Sequence, residues 1–208
     1  MKHKLIFATL LLLVCAGLPA QNYTNKESFA GTFSLGTRST VSMFNDDNAI
    51  GKGIGGQFRV QFKKRLNTEW YFDYITSKNG AYTFRNDYHI GWSLMLYAKN
   101  NYDFSRLLQP YFIAGHCFDL SKVAEQNNNT NKAQRLSMAA QAGMGTHINI
   151  TQKLDCSLSG QYMLHFGKDI ETTIKGEEVI IEKKNFSQPD GHLLFCISFN
   201  YKLFHIWD

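Results

Sequence analysis

The run from Gly191 to Phe204 alternates with a period of two. Phe195, Ile197, Phe199, Tyr201 and Leu203 fall on one parity, and Cys196, Ser198, Asn200 and Lys202 on the other. Successive side chains of a strand point to opposite faces, so this segment carries one apolar and one polar face. Seven further stretches repeat the pattern. After the first twenty residues no stretch approaches the ~18 apolar residues that a membrane helix needs. A chain of this kind spans a bilayer only as a closed barrel, because lipid leaves no water to satisfy an open sheet edge.

The first twenty residues read as an export signal. Lys2 and Lys4 precede a short apolar core, Leu5 to Val14, and Gly17-Leu18-Pro19-Ala20 offers small residues for cleavage near Ala20-Gln21. Cys15 follows Val14 rather than a small residue, which argues against lipidation there. Residues 1–20 are thus a signal peptide and 21–208 one barrel domain. Losing Lys2 and Lys4 lowers the formal charge from +5 to +3, too mild to argue for nucleic acid. Cys117, Cys156 and Cys196 are widely spaced without a Cys-x-x-Cys, and read as small apolar strand residues rather than a disulfide framework or a zinc site.

The predicted strands are Ser28 to Phe44, Lys52 to Lys64, Thr68 to Ser77, Asp87 to Ala98, Gln109 to Leu120, Leu136 to Ile150, Leu154 to Phe166 and Gly191 to Phe204. The fold class is all-β, an eight-stranded antiparallel up-and-down transmembrane barrel. Val179, Ile180 and Ile181, within Glu177 to Lys184, are apolar enough to form an extra pair, so ten strands is the second reading. Connections two–three, four–five and six–seven read as short. The others read as longer and more polar, which suits short periplasmic turns and long external loops, with both termini on the periplasmic rim.

The minority parity mixes Gly with charged and amide residues, which fits a filled interior. Arg59, Lys63, Glu69 and Asp73 are expected to form an interior polar cluster, with Arg59 facing Asp73 and Lys63 facing Glu69 across the two–three hairpin. The interior is then a polar plug and not an open pore. Aromatics make up 14% of the chain, and those near strand ends, Trp70, Tyr97, Tyr162, Phe204 and Trp207, are assigned to interfacial girdles.

Three pieces of sequence resemble the superfamily of small eight-stranded outer-membrane β-barrel proteins. They are Gln109-Pro110-Tyr111-Phe112-Ile113-Ala114-Gly115, Ala142-Gly143-Met144-Gly145-Thr146-His147-Ile148 and the closing Phe-x-Ile-x-Phe-x-Tyr run. The resemblance implies an integral protein of the Gram-negative outer membrane, in contact with its lipid and with the barrel insertion machinery. Many such barrels end on an aromatic that this machinery reads. Here Phe204 is followed by His-Ile-Trp-Asp, so Phe204 or Trp207 takes that part.

The expected function is non-enzymatic: structural, adhesive or scaffolding for a protein partner at the external loops. No catalytic residue, cofactor or metal ligand is assigned. One alternative is a lipid A-modifying enzyme. Acyl chemistry needs a His near a Ser with a carboxylate to orient it, and His165 and His192, near Ser159, Asp169 and Ser187, are the best candidates. Two His without fixed spacing fall short of a metal site. The other alternative is a secreted lipocalin-like binder of small ligands, in which the aromatics would form an inner core.

Overall fold

The structure, a computed structural model, describes residues 30–44, 49–79, 82–99, 106–128, 130–167, 169–175, 178–184 and 190–206. The signal peptide, Cys15, Ser187 and Trp207 lie outside the described residues.

The described residues form ten strands: β1 (Thr32–Phe44), β2 (Ile50–Lys63), β3 (Leu66–Asn79), β4 (Thr83–Tyr97), β5 (Leu108–Glu125), β6 (Lys132–Asn149), β7 (Leu154–Phe166), β8 (Asp169–Lys175), β9 (Glu178–Lys184) and β10 (Asp190–His205). Eight close into an antiparallel barrel in the order β1-β10-β7-β6-β5-β4-β3-β2. The seam joins the first strand to the last, with Phe33 opposite Phe204, Thr37 opposite Phe199 and Phe44 opposite His192. The extra pair does exist, but β8 and β9 form a two-stranded sheet of their own outside the barrel ladder, with Thr172 opposite Ile181. The barrel therefore has eight strands, not ten.

Three strands run further than the apolar pattern indicated. β4 begins at Thr83 rather than Asp87, β5 continues to Glu125, and β6 begins at Lys132. Rungs such as Arg85↔Val123, Asn86↔Lys122 and Ser121↔Arg135 continue the ladders there. Backbone pairing does not require an apolar outer face, so it persists where that signal has faded. These extensions shorten the connections on the rim away from the termini. The β4–β5 connection, 98–107, is longer than 45–49 or 80–82, so the expected alternation of short and long connections fails there.

The two faces are inverted relative to a water-soluble protein. Ile54, Ile90, Phe112, Leu136, Met144 and Phe199 point outward, and Leu136 is 71% exposed. Arg38, Arg59, Glu69, Asp73, Asp87, His89, Asp119 and Asp155 point inward and are buried. An apolar belt of this extent is a lipid-facing surface. The lipocalin-like reading fails because the enclosed side is the polar one.

The interior is stratified. Toward the termini Met95, Tyr97, Tyr111 and Ile113 form an apolar floor. Above it lies an ionic layer built on Arg38 and Arg59. Ile75, Cys117, Ala139, Met163 and Leu194 make a second apolar layer. Past it, toward the other rim, sit His89, His165 and His192. The inward glycines make room for this filling. A Cβ on Gly91 would collide with the Tyr71 ring, and one on Gly55 with the Asp73 side chain and the Phe72 carbonyl.

Candidate functional site

The ionic layer begins with two arginines. Arg59 Nε lies 2.8 Å from Glu69 Oε2, and its Nη1 3.0 Å from Asp155 Oδ1, while Nη2 donates to Ser157 Oγ at 2.7 Å. Arg38 Nε lies 3.0 Å from Asp73 Oδ1, and its Nη1 donates to Glu69 Oε1 at 3.3 Å. The Arg38 guanidinium also covers the Tyr71 ring at 4.2 Å. Gln57 Nε2 donates to Asn200 Oδ1 at 2.6 Å, and the Tyr71 hydroxyl donates to Gln141. Removing a charge from water costs several kcal/mol, so buried ions persist only when paired and hydrogen-bonded. The fixed fork of donors on Arg59 meets that requirement by bridging different strands, whereas Arg38 Nε and Asp73 form an ion pair without an aligned hydrogen bond.

Arg59, Glu69 and Asp73 of the expected cluster lie inside the barrel, but the pairing differs. Arg59 stands directly opposite Glu69, and Asp73 opposite Gly55. The β2–β3 turn is shorter than the sequence suggested, which slides the register. A register shift between Gln61 and Lys63 then turns Lys63 out, where it is exposed, and it takes no part in the cluster. Arg38 and Asp155 were missed. Arg38 sits on β1, paired with the strand that carries Arg59, and Asp155 on β7, which no hairpin links to Arg59; their place on the polar parity was the available signal. Cys117 and Cys196 face the interior, packed in the second apolar layer, and Arg38 Nη2 lies 3.0 Å from Cys196 Sγ.

Of the aromatics assigned to girdles, Trp70 and Phe204 join an outer ribbon that follows the hydrogen-bonding direction across β10, β1, β2, β3 and β4. Phe204 stacks on Phe33 at 5.1 Å, Phe33 on Phe58 at 5.8 Å, Phe58 on Trp70 at 5.0 Å, and Trp70 meets Trp92 at 6.5 Å. A register shift between Phe33 and Ser34 is what turns Phe204 outward, against its parity. Tyr162 faces outward on β7. Tyr97 does not: it is buried in the floor, 2.6 Å from His147 Nε2. Its parity, opposite to Trp92 and Leu96, outweighs its position at a strand end.

The Ser–His–Asp groupings do not form a relay. Ser157 Oγ and Asp155 Oδ1 both approach His147 Nδ1, at 2.6 and 3.6 Å. Ser137 Oγ and Asp119 Oδ2 both approach His165 Nδ1, at 3.2 and 3.4 Å. A base acting between a nucleophile and an orienting carboxylate needs them on opposite ring nitrogens. Ser159 stands opposite Gly145 and Cys196, well down β7 from His165, and Asp169 belongs to β8.

At the rim away from the termini, the β8–β9 hairpin is tied to the β5–β6 connection. Asn131 Nδ2 donates to the Val179 carbonyl at 2.6 Å and to Glu125 Oε2 at 2.9 Å. Glu125, Asn128, Val179, Ile181 and Glu182 line a groove between them.

No family model and no curated protein matches the chain in sequence. Its architecture does match solved structures. Neisserial surface protein A is 16% identical with a TM-score of 0.56, covering 82% of this chain and 96% of the other. The outer membrane protein OprG of Pseudomonas aeruginosa is 15% identical with a TM-score of 0.53, covering 85% and 97%. A major outer membrane protein of Thermus thermophilus is 8% identical with a TM-score of 0.51, covering 81% and 98%. At these identities the likeness establishes the fold, that of the small eight-stranded outer-membrane barrels.

Proposed function

We propose that this chain is an integral protein of the bacterial outer membrane. Its barrel is a plugged, non-enzymatic anchor, and its role is adhesive, structural or partner-scaffolding. The observation that carries this reading is the pairing of an apolar outer wall with an interior closed by the Arg38 and Arg59 ion pairs. Such a wall requires lipid, and such an interior supports a lumen without an open passage. Recognition then falls to the rim away from the termini, where the β8–β9 hairpin and the β5–β6 connection present Glu125, Asn128 and Glu182 around the apolar Val179 and Ile181. The partners on this reading are outer-membrane lipid, the insertion machinery and a protein at the external rim.

Fractionation tests the anchor. The protein should enter the outer-membrane fraction and migrate differently on gels before and after boiling, as a stable barrel does; a soluble protein without that shift overturns the proposal. Planar-bilayer recordings test the plug. No large steady conductance is expected, because an open lumen would hydrate side chains that are here 8% exposed or less.

A further inference from the structure

Three histidines from three strands meet inside the barrel, with β4 providing His89, β7 His165 and β10 His192. Their ring centroids are 4.8 Å apart for 165–192, 5.9 Å for 89–192 and 6.3 Å for 89–165. All three are at most 2% exposed. Imidazole nitrogens buried at such depth ordinarily find partners, because an unsatisfied polar group costs about 1–3 kcal/mol. Here both nitrogens of His89, both of His192 and Nε2 of His165 have no hydrogen-bonding partner among the described residues.

Asp119 completes the group. Its Oδ2 accepts from Ser121 at 3.0 Å and Ser137 at 3.4 Å, and lies 3.4 Å from His165 Nδ1. Its Oδ1 lies 3.5 Å from His89 Nε2, is not aligned for a hydrogen bond, and has no other partner. One carboxylate oxygen is thus held in place while the other is left uncommitted. That division is how second-shell hydrogen bonds orient a metal-binding carboxylate.

We propose that His89, His165, His192 and Asp119 bind a divalent first-row transition ion such as Zn²⁺. Three imidazoles and one carboxylate make a four-ligand set of the type such ions favour over Mg²⁺ or Ca²⁺. A metal–nitrogen bond of about 2.0–2.1 Å puts each ring centroid about 3.2 Å from the ion, hence about 4.7–5.7 Å from the next at roughly tetrahedral angles. The 165–192 pair already has that spacing, and the His89 ring must close in on the other two to reach it. As they stand, no group of three or more such side chains among the described residues is placed to hold a metal ion, so the four must rearrange to bind one. The His192 ring lies nearly parallel to its two neighbours, at 18° and 28°, so binding requires the imidazoles to turn about their side-chain torsions. Nearby positive charge is partly balanced within the protein, since Arg85 pairs with Asp87 at 3.0 Å. Phe44 packs on His192 at 4.9 Å, with Arg85 over the Phe44 ring, and together they cover the site on its β1–β4 side.

The test uses the untagged barrel folded in detergent, loaded with Zn²⁺ and passed through a desalting column. The wild type should retain about one Zn²⁺ per chain. H89Q and H192Q should each lower zinc affinity at least about tenfold, while H116Q, at an outward-facing histidine, should behave as wild type. The boil-dependent gel shift checks that each variant has folded. Co²⁺ loaded into the wild type provides a readout that needs no variant: intense visible bands mark four-coordinate nitrogen and oxygen ligation. Loss of Zn²⁺ from the wild type on desalting, equal affinity in H89Q and H192Q, or a weak cobalt spectrum like that of the hydrated ion would each overturn the proposal.

Discussion

At the scale of single residues, Arg59 organises the ionic layer. It holds Glu69 and Asp155 on strands that are not neighbours, and Ser157 beside them. Replacing it with Met removes one cation and leaves two buried carboxylates with less compensation, though Glu69 keeps Arg38 and Asp155 keeps the Asn200 amide at 3.1 Å. Breaking one side of a buried ion pair typically costs about 3–5 kcal/mol. R59M should therefore unfold at distinctly lower urea than wild type, followed by tryptophan fluorescence in detergent, and adding Asp155→Asn should recover part of the loss. Alternation alone revealed that Arg59, Glu69 and Asp73 share a face. It did not reveal that Arg38 reaches across β2 to Glu69 and Asp73, because that depends on register, or that Asp155 completes the network, because β7 is brought near β2 only by barrel closure. The histidine cluster was hidden for the same reason. His165 and His192 stood out by their strand-end positions, but His89 joins them only through the curvature of the wall.

At the scale of elements, all eight barrel strands overlap the stretches that the period of two marks, while the β4–β5–β6 ladders overrun it on the rim away from the termini. The pattern reports lipid contact, and where a strand leaves the apolar belt the pattern stops but the hydrogen bonds do not. Registers were less legible than strands. A short turn and two local shifts moved Lys63 outward, set Arg59 against Glu69 and turned Phe204 to the outer wall. The β8–β9 hairpin pairs with neither β7 nor β10, and its described polar tie to the rim runs through Asn131. Replacing residues 169–184 by a short Gly-Ser link should leave membrane insertion and the boil-dependent shift unchanged, since every barrel ladder remains. On the proposed function, the same deletion should reduce adhesion of cells displaying the barrel to host or partner surfaces. Loss of the gel shift would mean that the hairpin helps to build the barrel rather than to serve recognition.

At the scale of the whole molecule, the architecture was more readable than the chemistry, because one physical demand, no unpaired backbone in lipid, selects the closed barrel from a period of two. The seam between β1 and β10 adds a consequence in time. Thr32 and His205, which face each other there, are separated by 173 positions, so the contact that abolishes both sheet edges is also among the most remote in the chain. Contacts of such separation form slowly, since the entropy of closing the loop is spent before the pairing is gained. Until then the chain exposes two open edges and eight greasy strand faces to whatever surrounds it. The wall therefore cannot mature strand by strand, and it is committed to its final form only when both ends have arrived.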